Sequence, residues 1–259
     1  MNPNADEVYR RLMVLKFVIL HAETTPSKES LEEYRINFGR RKLAELVRAL
    51  KKRSKKNVQI LKTYGLWRET SPLEQRFLKL YGPKMDHQLH ISYLWRMEAA
   101  AMLMWALKFI PIWPKIDETI ETNRLKDYPI KKLGPETKGP SLRDTEAIQR
   151  QSDLLKLWIW RVKTRMNIED NIPFRPDDPA NPPGLASYDE VIRYTAKDAR
   201  QKGILTETID DDFAYAGQAF REIPSELFYH AAVMISERHY AMNWLCGLAP
   251  KNRWDEVEI

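Results

Sequence analysis

Apolar residues recur along this chain at steps of three and four, the spacing that places them on one face of an α-helix. Val8, Leu12, Leu15 and Ile19 make one such stripe; Leu43, Leu46, Val47 and Leu50 make another. Read with start and stop signals, the pattern predicts helices over 5–22, 29–63 (broken once), 72–80, 86–109, 142–167, 187–202 and 225–246. Gly247 ends the last of them, since glycine takes the left-handed conformation that closes a helix. No stretch alternates cleanly for six residues between turn signals, so no strand is predicted. The expected fold is all-α: a single multi-helix domain, 1–259, with a long buried C-terminal helix and proline-rich connectors.

Polar residues mark where these helices begin. "SLEE" (Ser30 to Glu33), "SPLE" (Ser71 to Glu74) and "SYDE" (Ser187 to Glu190) fit the capping box, in which Ser accepts the third amide and Glu reaches back. "SPLE" adds Pro72 at the first helical position, where a missing amide costs nothing. "SLRD" (Ser141 to Asp144) is a looser fourth. The connectors are 111–114, 128–140 and 171–184; the last carries Pro173, Pro176, Pro179, Pro182 and Pro183, and proline bars it from a helix.

Composition refines this picture in two places. A single cysteine, Cys246, excludes an internal disulfide and any multi-cysteine metal site, and suits a reducing, cytoplasmic compartment. "RRLMVLKFVILHA" (Arg10 to Ala22) has the outline of a signal peptide, but Lys16 interrupts it and Asp6 and Glu7 precede it, so an amphipathic helix is expected instead. No apolar run reaches the roughly 18 residues of a membrane span.

The net charge of +6 is concentrated. Residues 40–56 hold nine Lys/Arg and one Glu, or +8, which leaves −2 for the rest of the chain. With Leu43, Leu46, Val47 and Leu50 turned inward, Arg40, Arg41, Arg48, Lys51 and Lys52 line the solvent side, a surface for an anion or a partner. Segment 40–56 contains no aromatic residue for base stacking and no DNA-reading motif.

Two charges fall on apolar faces. Arg238 has Ala231, Met234, Ile235, Ala241, Met242 and Leu245 as helical neighbours, and Glu98 shares a face with Ile91, Trp95, Met102, Trp105 and Phe109. A lone buried charge is costly, so the two are expected to meet in the core, with the guanidinium fork on the carboxylate. Glu237 and His239 flank Arg238. The cluster Glu98, Glu237, Arg238 and His239 reads either as a polar network fixing helix register or as an acid–base site binding an anion.

Other chemistry is sparse. "HQLH" (His87 to His90) puts two imidazoles one turn apart, but two ligands do not make a metal site, and helix-start histidines are the plainer reading. No glycine-rich phosphate loop, Gly-x-Ser-x-Gly or His-Glu-x-x-His occurs, so no catalytic residue, cofactor or metal is assigned. Cys246 reads as packing. Trp95, Trp105, Trp158, Trp160 and Trp244 sit at core-compatible spacing. Trp254 is expected to fold back onto the body, with Asp255 and Glu256 pairing with surface bases or capping a helix start.

Three blocks carry a resemblance. "YGLWRETSPLEQRFL" (Tyr64 to Leu78), "SYLWRMEAAAMLMWAL" (Ser92 to Leu107) and "ERHYAMNWLCG…NRWDEV" (Glu237 to Val257) resemble the DUF4272 family, a set of mostly bacterial proteins. The resemblance runs over roughly 64–257, with helices 5–63 packed on it. It implies a fold and, because the family has no assigned activity, no catalytic residues. The leading expectation is therefore a non-enzymatic helical module that binds another protein. An enzyme or small-ligand protein using the Glu/Arg/His cluster comes second, and nucleic-acid association through 40–56 third; no membrane partner is expected.

Overall fold

Asn4 starts the first helix. Its side chain accepts the Glu7 amide at 3.0 Å while the Glu7 carboxylate takes the Asn4 amide at 2.7 Å, a capping box outside the Ser-led pattern. The computed structural model describes residues 2–120, 140–177, 182–249 and 253–257. Predicted connector positions 128–139 and 178–181 lie outside the described residues. Helix α1 (Ala5–Thr24) buries the expected Val8, Leu12, Leu15 and Ile19, and also Tyr9, Met13, Val14, Phe17 and Val18. It is thus a core helix buried almost all round rather than a one-sided amphipathic one.

Helix α2 (Lys28–Thr63) starts at Ser27, three residues before the predicted cap, because Ser27 accepts the Ser30 amide at 3.3 Å. Its predicted break falls at Gly39, with φ 82° and ψ 167°, a region essentially reserved for glycine. A straight helix would separate Leu31 from Val47 by about 24 Å. Instead both meet Gly82, where an added Cβ would lie 3.3 Å from Leu31 Cδ1 and 3.5 Å from Val47 Cγ2. The two arms of α2 therefore fold back on each other, with Gly39 at the tip.

Helices α3 (Pro72–Phe77), α4 (His87–Leu94), α5 (Arg96–Ala106), α6 (Thr145–Glu169), α7 (Tyr188–Gln201) and α8 (Ser225–Leu245) follow. Further predicted boundaries move, among them the end of α3, at Phe77 rather than residue 80. The single helix 86–109 is interrupted at Trp95, where the Glu98 amide bonds the Trp95 carbonyl at 3.0 Å, and it ends at Ala106 because Lys108 turns to φ 61°. The interruption swings Ile91 out to the surface, away from the face of Glu98. Asp144 rather than Ser141 caps α6, accepting the Ala147 amide at 2.7 Å. Gly247 closes α8 as expected: its amide reaches Trp244 O and the Leu248 amide reaches Asn243 O, each at 3.0 Å.

The expectation of no strand is corrected by a small antiparallel sheet: β1 (Thr208–Ile209), β2 (Asp212–Tyr215) and β3 (Gln218–Ala219), in that order. These strands are shorter than any alternation test can register. Their two-residue turns, Asp210-Asp211 and Ala216-Gly217, both take positive φ, as tight hairpins require. The sheet packs under α7 and α6, with Trp158 edge-on to Phe213 and Phe220 at 5.1 and 5.5 Å. One half of α8 completes that core and the other half completes a larger one built on α1 and α5.

Candidate functional site

Glu98 on α5 and Arg238 on α8 meet in the core, as the apolar faces around them predicted. Arg238 Nε donates to Glu98 Oε2 at 2.8 Å, and the two side chains are 0% and 2% exposed. Both contacts of the fork fall on one carboxylate oxygen. The other oxygen, Oε1, accepts the Ile120 amide at 2.9 Å. The remaining Arg238 donors take the carbonyls of Lys115 and Glu118, each at 2.6 Å. The pair thus staples segment 115–120 across the gap between the two helices.

The neighbours of Arg238 diverge, since successive helical residues point about 100° apart. Glu237 turns to Arg96 at 3.3 Å, and the Arg96 guanidinium lies 4.9 Å from the Tyr240 ring. Burial pushes the Glu237 carboxyl up, against the pull of Arg96. His239 faces α6: burial, with Lys163 and Lys156 adding to it, lowers its pKa to about 4. Its Nδ1 lies 3.5 Å from Asn243 Nδ2. Of the four candidates, Glu98 and Arg238 therefore form one sealed pair, Glu237 is half-buried with Arg96, and His239 stands apart.

The same physics produces two further buried pairs. Arg11 on α1 is held by both oxygens of Glu74, at 3.0 Å through Nη1 and by a shorter contact through Nη2. Glu74 also accepts the Ser71 amide at 2.9 Å, so the cap of α3 doubles as the counter-charge of α1. Arg161 on α6 grips Asp212 on β2 with two bonds of 2.7 Å, both side chains fully enclosed. Arg11 was legible by the test that found Arg238, because Val8 and Leu15 are its helical neighbours. Asp212 carried no signal, being one of three consecutive aspartates.

The C-terminal block returns to the body as expected. Trp254 is buried against Tyr240 and Trp244, with the Arg11 guanidinium 4.2 Å from its ring. Asp255 accepts the Leu73 amide at 3.0 Å, capping the start of α3, and Glu256 pairs with Arg253 at 2.6 Å. A cavity of about 470 Å³ lies beside this clamp, lined among others by Arg11, Arg68, Glu69, Trp254 and Asp255. Cys246 is half-buried at the end of α8, where burial raises the thiol. His87 opens α4 behind Asp86, which caps it through the Leu89 amide at 2.7 Å. Among the described residues, no group of three His, Cys, Asp or Glu could hold a metal ion, and no helix is long and apolar enough to cross a membrane.

The basic segment has the geometry its pattern implied. Arg40, Arg41, Arg48, Lys51 and Lys52 are exposed, Leu50 is buried, and Leu43, Leu46 and Val47 are half-buried. At the hairpin tip Ile36 and Phe38 are 72% and 60% exposed, immediately before Gly39, Arg40, Arg41 and Lys42.

Fold and interior together define a predominantly α-helical single domain whose buried charges hold elements together. The chain belongs to the family described as domain of unknown function DUF4272, which matches residues 1–178. That span includes the first two of the three resembling blocks. No curated protein and no solved structure matches the chain.

Proposed function

We propose that this protein is a non-enzymatic helical module that docks on another protein through the tip of the α2 hairpin. The observation that carries the reading is the exposure of Ile36 and Phe38 beside Arg40, Arg41 and Lys42. Large apolar side chains next to exposed cations, of which Arg41 and Lys42 share Glu45 at 3.5 and 3.7 Å, fit a partner with an apolar pocket and an acidic rim, where the apolar contact supplies affinity and charge supplies steering. The interior supports the same reading, since Glu98 and Arg238 spend their hydrogen bonds on each other and on segment 115–120. A reducing cytoplasm suits a chain with one half-buried cysteine.

Photo-crosslinking in cells tests this. A photoreactive phenylalanine analogue at Phe38 is expected to give a discrete protein adduct, and Arg40→Glu/Arg41→Glu is expected to cut its yield about tenfold. Equal yield from a control position at Tyr194, adducts to lipid, or no adduct at all would each overturn the proposal.

A further inference from the structure

The other end of the same arm carries a second surface. Lys51, Lys55 and Lys62 share one face of α2 at steps of four and seven, and Lys79, from the connector after α3, lies across from them. With Val58 and Tyr81 they line a groove of about 390 Å³ to which no carboxylate contributes. None of the four lysines forms an ion pair among the described residues. Four ammonium groups facing one groove repel each other, and an entering anion relieves that repulsion.

The fold adds what the sequence of 40–56 lacks. Trp67 and Tyr81, both half-buried, come alongside the lysine row from a different segment. The ammonium groups of Lys62 and Lys79 lie 5.8 and 5.4 Å from the Trp67 ring, and that of Lys51 lies 5.6 Å from the Tyr81 ring. Such exposed cation–π contacts are weak and give way readily to a phosphate and a base. From Lys51 to Lys62 the helix rises about 16 Å, enough to meet about four successive phosphates of a stacked strand.

We infer that this groove binds single-stranded nucleic acid, the lysines tracking phosphates and Tyr81 and Trp67 offering faces for bases. Charge together with aromatic faces is the general requirement for single-strand binding without sequence preference. An acidic peptide has carboxylates but no bases to stack. A duplex keeps its bases stacked on one another and leaves none free for the aromatic faces.

The test is fluorescence anisotropy of a short labelled oligothymidylate with the full chain over a salt series. Four lysine–phosphate contacts predict a slope of log K against log salt of about −3, and Lys55→Ala/Lys62→Ala is expected to halve it. Both residues are exposed, so circular dichroism melting should be unchanged by that pair of substitutions. Tyr81→Leu is expected to weaken oligonucleotide binding at least about fivefold while sparing inorganic polyphosphate. Arg40→Ala/Arg41→Ala should leave the slope unchanged, which separates this surface from the hairpin tip. No binding at low salt overturns the inference. Insensitivity to Tyr81→Leu, with equal competition by polyphosphate, assigns the groove to a free phosphate chain and also overturns it. Equal competition by polyglutamate does so in favour of an acidic peptide.

Discussion

A guanidinium in an apolar interior dictates its own surroundings. Taking a charge out of water costs several kcal/mol unless a counter-charge and further hydrogen bonds come with it. Arg11, Arg161 and Arg238 each bring a carboxylate from a different element. For Arg238 the consequence is measurable. Glu98→Ala leaves an uncompensated buried charge, and a loss of about 3–5 kcal/mol is expected. For a chain of this size that lowers the melting temperature by about 6–20 °C. Glu98→Leu/Arg238→Met removes both charges and should recover more than half of the loss. The shortfall reflects the Lys115 and Glu118 carbonyls and the Ile120 amide, which lose their partners. Thermal melts of the three proteins decide it. A double variant as unstable as Glu98→Ala would mean that the staple on segment 115–120, rather than charge pairing, carries the stability.

Among the elements, the kink at Gly39 has the largest consequence. Its φ of 82° and ψ of 167° strain any side-chain-bearing residue by about 1–3 kcal/mol, although an added Cβ there would meet nothing within 4 Å. Gly39→Ala therefore tests backbone conformation free of packing. It should loosen the contact of Leu31 and Val47 with Gly82 and lengthen the distance between spin labels on the two arms. Unchanged distances and an unchanged melt would show that the turn is not held by glycine. That a break occurs in 29–63 was legible from helix length and the presence of glycine; that it reverses the chain was not. Reversal depends on Leu31, Val47 and Leu50 finding Gly82, a contact made across 30 to 50 residues. The same limit hid the sheet, whose strands of two to four residues have no period to read. It also hid the stacking of Trp67 and Tyr81 on lysines, since neither aromatic lies in the basic run. The Glu98–Arg238 pair was legible because both partners interrupt long apolar faces. Asp212 was not, because a run of aspartates looks like a solvated turn.

On the scale of the whole molecule, α8 passes through both cores, so neither can loosen without disturbing the other. Each half also encloses a histidine that the fold keeps neutral. His21 packs edge-on to Phe77 at 5.2 Å, with Nε2 3.0 Å from the Leu80 carbonyl. Burial lowers its pKa to about 4, with Arg53 nearby adding to the effect while the Leu80 and Phe77 backbone oppose it. His239 is lowered to about 4 by burial, Lys163 and Lys156. In the unfolded chain both return to about 6.5. Above that pH neither state binds the proton, and the histidines contribute no slope. Between about 6.5 and 4 the unfolded state binds protons that the folded state refuses, so stability falls as pH falls, by about 1.4 kcal/mol per unit for each histidine. The raised Glu237 carboxyl acts in the opposite sense, favouring the folded state when protonated. Melting curves from pH 7.5 down to about 5 should therefore show a steep loss below about 6.5. Because α8 couples the cores, that loss should appear as one transition rather than two. His239→Gln should reduce the slope by about half, and His21→Gln/His239→Gln should nearly flatten it. A slope unchanged by either substitution would place the acid sensitivity in the carboxylate pairs instead.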